Sequence, residues 1–405
     1  MSTTPAQAGA TLAVEPWPLP ATRAPSAQPD LAAAPDGRLV LAWIEKSADG
    51  AHALRLARSQ LRTTAWDAPR TVAAGRDWFV NWADTPHVLA LGDGSLWAHW
   101  LRRNGAGTYD YGIALVRSDD DGESWSTPIR VEPDGAKNDY GFVSMWAHSR
   151  DTLGIAWLDS RRKPAATGDG HSAREHDGHG AARMMLRAAT FPADGRRTIE
   201  WVLDASTCDC CTTAVASTSR GPVLVYRGRS DGEIRDTRLV RFENDRWTLP
   251  RDVHPDGWTF AGCPVNGPAI AALGNEVWVA WYTEADGKPS LRLARSRDAG
   301  DSFSAPLHVA EGEGVLGRAA LAFDADKVWL AWLAERDGGR DGQHLWLARV
   351  DARTATIEAR QVVASLAARG RATGLPRLVA RDGEALLVVT DIKDGQPLLR
   401  GLRVR

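Results

Sequence analysis

The chain has 405 residues, of which 43% are hydrophobic and 25% charged, a balance that excludes a disordered or collagen-like protein. The formal net charge of −2 predicts neither a nucleic acid nor an anionic membrane surface as a partner. No run approaches the roughly 18 apolar residues of a membrane-spanning helix, so we expect no transmembrane segment. There are 18 Trp but only 4 Cys, and three of those cysteines fall within four residues.

The first residues, MSTTPAQAGATLAVEPWPLP, lack the charged region and apolar core of a secretory signal peptide. Two interpretations of the compartment follow. The protein is cytoplasmic, or it is periplasmic or secreted and its leader has been replaced by a start Met.

Seven similar segments recur along the chain, from PDGRLVLAWIE near the N-terminus to DGEALLVVTD near the C-terminus. Each is a short β-rich run opened by turn residues. One position in each segment serves as an anchor, and the anchors are Trp43, Trp100, Trp157, Tyr226, Trp281, Trp332 and Val389. Their spacing of about 50 to 70 residues is typical of a propeller blade with its loops. The pattern predicts an all-β β-propeller of four-stranded blades; seven blades are favoured and six remain possible.

The last repeat lacks a fourth strand, whereas the first segment, ATLAVEPWPLP, resembles an isolated fourth strand. Pairing the two would close the ring and leave few exposed strand edges. We therefore expect an N-terminal segment at residues 1–29, which could close the last blade, and one propeller domain at residues 30–405. A His-rich insertion occupies residues 161–182.

Two turns share one pattern: residues 118–125 read SDDDGESW and residues 296–303 read SRDAGDSF. In such a turn the Asp accepts backbone N–H groups, the Gly allows a positive φ, and the aromatic ring packs between sheets. The pattern resembles the Asp-box (BNR) repeat of the sialidase superfamily, and the resemblance covers residues from about 30 to 364. It implies a sialidase-like propeller whose boxes are structural turns on the face away from the active site. Sialidases hold the substrate carboxylate with three arginines, and Ala27 stands where the first is expected.

The cysteines lie at matching places in neighbouring repeats. Cys208 of the Cys208-Asp-Cys210-Cys211 motif lies 18 residues before Tyr226, and Cys263 lies 18 residues before Trp281. The equal offsets predict that all four sulfur atoms meet at the axial end of two adjacent blades. Three hypotheses follow: a thiolate site for copper or zinc, one or two disulfides in an oxidising compartment, or a reactive thiol activated by nearby arginines.

Polar residues are expected on the same face of the ring. The catalytic candidates are Asp84, Arg227, Glu233, Arg235 and Arg318. Additional metal-ligand candidates are His87, His254, His176 and His179, the last two in the insertion, where a short His-rich tract can bind metal.

Three functions remain open from the sequence. The first is a metal-binding propeller with an axial Cys-rich site. The second is a sialidase-type glycoside hydrolase with Asp84 as acid/base and with Arg227, Arg235 and Arg318 binding a carboxylate. The third is a non-catalytic interaction scaffold clipped by disulfides. We expect a small molecule, a glycan or a metal as the ligand of the axial pocket, and the sequence does not identify a protein partner.

Overall fold

A computed structural model describes residues 11–60, 65–163 and 183–405. These residues form seven sheets, one for each repeat, arranged as the seven blades of a β-propeller. The structure thus confirms the all-β class and selects seven blades over six. Most of the His-rich insertion, with His176 and His179, lies outside the described residues.

Blades are numbered here in chain order, and each runs from an inner strand to an outer one. Blade 1 contains β2 (Ser26–Ala33), β3 (Leu39–Lys46), β4 (His52–Arg58) and β5 (Arg70–Gly75). Blade 2 contains β6 (Val88–Ala90), β7 (Leu96–Arg103), β8 (Tyr111–Ser118) and β9 (Ile129–Arg130). Blade 3 contains β10 (Tyr140–Ala147), β11 (Leu153–Asp159), β12 (Met184–Phe191) and β13 (Glu200–Thr207).

The fourth and fifth blades follow the same plan, although the outer edge of blade 4 is divided into two short strands. Blade 4 contains β14 (Ala214–Thr218), β15 (Gly221–Arg227), β16 (Thr237–Glu243), β17 (Arg246–Trp247) and β18 (Arg251–Asp252). Blade 5 contains β19 (Ala269–Leu273), β20 (Glu276–Thr283), β21 (Ser290–Ser296) and β22 (Leu307–Glu311).

The last two blades complete the ring. Blade 6 contains β23 (Val315–Asp324), β24 (Lys327–Glu335), β25 (Gln343–Asp351) and β26 (Thr356–Leu366). Blade 7 contains β27 (Arg377–Arg381), β28 (Glu384–Lys393), β29 (Gln396–Val404) and, as its outer strand, β1 (Val14–Pro16). Val14 pairs with Val404, so the first strand of the chain lies antiparallel to the last.

Every anchor residue lies in the second strand of its blade. Both faces of that strand contact neighbouring blades, so its sequence is a near-continuous apolar run rather than an alternating one; seven of the eight residues of β3 are buried. The core of the described chain is accordingly divided into clusters that each join two adjacent blades. Trp43, fully buried, joins blade 1 to blade 7 in this way.

The two Asp-containing turns have matching hydrogen bonds. The Ser124 N–H and hydroxyl both donate to Asp120, and those of Ser302 both donate to Asp298. In each turn, one carboxylate pairs with three arginines of the preceding blade. One arginine directly precedes the second strand of that blade, and the other two lie in its third and outer strands. Arg38, Arg58 and Arg70 converge on Asp121, and Arg220, Arg241 and Arg251 converge on Asp301.

No helix in the described residues is long and apolar enough to cross a membrane. The helical segments found there are two short 3-10 turns, Asp337–Gly339 and Gly370–Thr373.

Candidate functional site

A cavity of ≈ 300 Å³ lies on the propeller axis and is lined by the inner strands, and the segments leading into them, of all seven blades. Five titratable side chains line this axial cavity in the described chain: Asp30, Asp84, His87, Arg318 and Arg377. Three of them were sequence candidates, whereas Asp30 and Arg377 were not.

Asp30, His87 and Arg377 hold the same position in three consecutive blades. Each lies opposite the residue that directly precedes the anchor of its blade. Asp30 and Arg377 lie in their inner strands, and His87 directly precedes its inner strand. The other blades carry small residues at this position: Ser144, Ala214, Ala269 and Ala320. One layer of the cavity wall is therefore polar and charged on the side of blades 7, 1 and 2 and small elsewhere.

Asp30 is the centre of this polar side. Its Oδ1 lies 2.9 Å from His87 Nδ1 and 3.6 Å from Arg377 Nε, and its Oδ2 accepts the Val88 N–H at 3.0 Å. Burial acts to raise the pKa of Asp30, but the charge and hydrogen bond of His87 and the charge of Arg377 outweigh burial and hold the pKa at about 2. Asp30 is thus an anion that orients the His87 ring.

Asp84 has the opposite electrostatic environment. It is 3% exposed, and its carboxyl group accepts hydrogen bonds from the Phe142 N–H at 2.7 Å and the Tyr111 hydroxyl at 3.3 Å. Burial raises the pKa of Asp84 to about 7, although these two hydrogen bonds act to lower it. This carboxyl group therefore keeps its proton to a much higher pH than an exposed aspartate does.

Trp82, two residues before Asp84, contacts the cavity-lining Arg318. The Arg318 guanidinium lies 4.5 Å from the centre of the Trp82 ring and that of Arg371 lies 5.8 Å from it. Trp82 precedes blade 2 and Arg318 belongs to blade 6, so this contact joins blades that are not neighbours in the ring. Arg318 also donates to Gly370 O at 2.7 Å, and burial lowers its pKa to about 10, which leaves it cationic at neutral pH.

Three residues at bulges of the inner strands have strained backbones. Gln28, Phe142 and Arg318 have φ values of 50°, 50° and 53°, and each lies within a β-bulge of the inner strand, two residues before the polar-or-small position. Non-glycine residues in this left-handed region cost about 1–3 kcal/mol each, and such strain is concentrated at functional sites.

A second histidine, His99, stands behind His87. It is fully buried, its ring centre is 5.4 Å from that of His87, and neither ring nitrogen has a hydrogen-bond partner. Burial holds the pKa of His99 well below its usual range, so this ring is neutral. The unpaired nitrogens place an unsatisfied polar side chain directly behind His87.

The structure brings the four cysteine sulfurs together beside the cavity. It pairs Cys208 with Cys211 and Cys210 with Cys263, which lies on the segment before blade 5. Cys208 Sγ lies 3.8 Å from Cys210 Sγ. Cys208 and Cys211 are buried, Cys210 is half-buried and Cys263 is exposed. Thr212, which follows this cluster directly, lines the axial cavity.

The remaining candidates lie outside the cavity lining. Arg227 is buried and donates to the carbonyl oxygens of Asn266, Arg235 and Tyr282, so its contacts are those of a structural residue. Glu233 bridges Arg229 and Arg235 in the hairpin of blade 4. His254 pairs with Asp256 at 2.6 Å. The sequence grouped these residues with Asp84 and Arg318, but the structure does not place them around one cavity.

Comparisons with known proteins reach the fold but no family. No family model and no curated protein matches the chain. A protein of unknown function from Dyadobacter fermentans is 14% identical over 97% of this chain and 99% of its own, with a TM-score of 0.54. The polysaccharide lyase Uly1 is 9% identical over 92% and 88% of the two chains, with a TM-score of 0.54. A mutant of the NanB sialidase from Streptococcus pneumoniae is 11% identical over 94% and 68%, with a TM-score of 0.46.

The chain is thus a seven-bladed β-propeller whose structural neighbours include sialidases and polysaccharide lyases. At these identities the likeness shows the fold alone, and the function must be argued from the residues of the cavity.

Proposed function

We propose that the axial cavity is the active site of a hydrolase that cleaves a glycosidic bond in an anionic sugar. The observation that carries the proposal is a pair of carboxyl groups, Asp84 and Asp30, that line one cavity with pKa values of about 7 and about 2. Where environments drive the pKa values of two acids apart, the protonated one suits general-acid catalysis and the ionised one suits a charged role.

Each residue then has a role that its contacts support. Asp84 protonates the departing oxygen. His87, oriented by Asp30, takes the proton from an attacking water, as an imidazole held by a carboxylate does in other hydrolytic sites. Arg318 and Arg377 both line the cavity, where their cationic groups bind a carboxylate.

The test is a panel of fluorogenic glycosides, charged (a sialoside and a glucuronide) and neutral (a glucoside). We expect turnover of a charged member and its loss in Asp84→Asn, because the amide has no proton to donate. Glu132→Gln is the matched control: Glu132 is also buried with a pKa raised by burial, but it lies outside the cavity. Equal activity of Asp84→Asn and the wild type on every substrate that is turned over contradicts the assignment.

The anion-binding role is tested separately by thermal shift with sialic acid, glucuronic acid and glucose. Arg318→Gln should abolish stabilisation by the acidic sugars. Arg349→Gln is the control, because Arg349 also lies over an indole ring, that of Trp329 at 5.6 Å, away from the cavity. Stabilisation by glucose alone would exclude an anionic ligand.

A second candidate function is metal binding at the cysteine cluster, with copper favoured and zinc as the alternative. It is supported by the Sγ atoms of Cys208, Cys210 and Cys211, which lie within 4.8 Å of one another, with Cys263 beside them. Four thiolates suit Cu(I) or Zn(II), and the ligand set requires the reduced form of the cluster. Elemental analysis of protein purified anaerobically with reductant tests it: about one metal per chain supports the candidate, and none refutes it.

The paired cysteines also support a periplasmic or secreted location, because disulfides persist in oxidising compartments.

A further inference from the structure

The two cysteine pairs differ in their access to solvent. The bridge that joins blades 4 and 5 ends in the exposed Cys263, whereas both ends of the Cys208–Cys211 pair are at most 2% exposed. An external reductant can therefore reach the first pair and not the second. A structural clip between blades would need only the first, so the buried pair beside it requires another explanation.

The sulfur atoms of the two pairs are within van der Waals reach of each other. Cys208 Sγ lies 3.8 Å from Cys210 Sγ, the separation at which a thiolate formed at Cys210 would already contact the sulfur that it must attack.

We propose that the four cysteines form a thiol–disulfide exchange centre, in which the exposed Cys210–Cys263 bridge passes reducing equivalents from an external dithiol to the buried Cys208–Cys211 bridge. The donor is of the dithiol class, either a small molecule or a protein with a Cys pair, and it becomes a disulfide as it reduces Cys210–Cys263 by two electrons and two protons.

Two exchanges then complete the transfer. The Cys210 thiolate attacks Cys208, so that a Cys208–Cys210 bond forms, the Cys208–Cys211 bond breaks, and Cys211 leaves as a thiolate that takes a proton. Cys263 then attacks Cys210, which restores the Cys210–Cys263 bond and releases Cys208 as a thiolate that takes a proton. The net result is a reduced buried pair beneath an intact bridge.

The centre would act on the wall of the cavity. Cys211 is followed directly by Thr212 and Thr213, which line the cavity, and the Thr213 hydroxyl donates to Phe142 O at 2.9 Å and bonds the Ser144 hydroxyl at 2.7 Å. Opening the buried bridge releases the covalent restraint on this segment while the link between blades 4 and 5 remains.

The wild-type protein provides the first test. Oxidised protein receives one equivalent of dithiothreitol, exchange is stopped with acid, and free thiols are labelled with N-ethylmaleimide and located by tandem mass spectrometry. We expect most of the label on Cys208 and Cys211 although they are buried. Label confined to Cys210 and Cys263 overturns the relay, and four free thiols before any reductant is added overturn it as well.

Two variants isolate the exchange without any reductant, and cooperative thermal unfolding of each shows that it is folded. In Cys263→Ser, the single thiol should divide between Cys210 and Cys211. In Cys211→Ser, it should divide between Cys208 and Cys263. A thiol fixed at Cys210 in the first variant, or at Cys208 in the second, shows that the two pairs do not exchange.

Discussion

Replacing the buried acid Asp84 by Asn should make the protein more stable at alkaline pH and leave its stability at acid pH almost unchanged. The pKa of Asp84 rises from 3.8 to about 7 on folding. The folded state therefore binds a proton more tightly than the unfolded state does, and stability falls as pH rises between these two values. Each pKa unit corresponds to about 1.4 kcal/mol, so the ionised side chain costs the folded protein up to about 4 kcal/mol above pH 7.

The amide of Asp84→Asn avoids this cost. Its carbonyl oxygen can still accept the Phe142 N–H, and the Tyr111 hydroxyl can turn to accept from the amide nitrogen. The assay is urea unfolding of both proteins at about pH 3.5, below the unfolded pKa of Asp84, and at about pH 9, buffered at constant ionic strength. We expect the variant to gain free energy of unfolding only at the higher pH. Parallel curves for the two proteins across this range would refute the burial argument, and with it the role of Asp84 as a proton donor.

Three further predictions follow from other parts of the molecule. The hydrolytic rate should fall as pH rises through about 7, because Asp84 must carry its proton to act, and a pH–rate profile measures this. Asp301→Ala should lower the free energy of unfolding, measured in urea, by about 1–2 kcal/mol, because Arg220, Arg241 and Arg251 lose a shared partner that water also reaches. The arginines hold the pKa of Asp301 well below its usual range, so this contribution is present at neutral pH and is lost as acid protonates the carboxylate. Gly267→Ala should cost about 1–3 kcal/mol, because the new methyl group would fall on the Thr212 carbonyl oxygen where blades 4 and 5 meet, and Gly232→Ala, which meets only the Ser230 hydroxyl oxygen at 3.9 Å, should be milder.

The architecture could be predicted because large buried residues, mostly tryptophans, recur at one position of each repeat. Trp43, Trp157 and Trp281 occupy equivalent places in their blades, and repeats at this spacing are typical of propeller blades. The anchors also related the cysteines to one another. Cys208 and Cys263 lie at the same distance in sequence before their anchors, and their segments meet in the structure.

The polar side of the cavity is only partly visible from the anchors. Asp30 and His87 each lie 13 residues before their anchors, but Arg377 lies 12 residues before Val389, so a fixed offset does not group the three although they share one register position. By contrast, no offset in the sequence predicts the contact between Trp82 and Arg318, because these residues belong to blades that are not neighbours in the ring. The closeness of Arg227 to the cysteine motif in the sequence likewise does not show that its guanidinium donates to three backbone carbonyl oxygens.

The pairing of β1 with β29 also determines when the last blade of the propeller can be completed. Leu12 bonds to Gln361, which is 349 positions away, and Ala13 exchanges two backbone hydrogen bonds with Arg405. The chain must therefore be synthesised as far as Arg405 before β1 can pair with β29. Without β1 in place, the outer edge of β29 has no partner strand and can accept a strand from a neighbouring molecule.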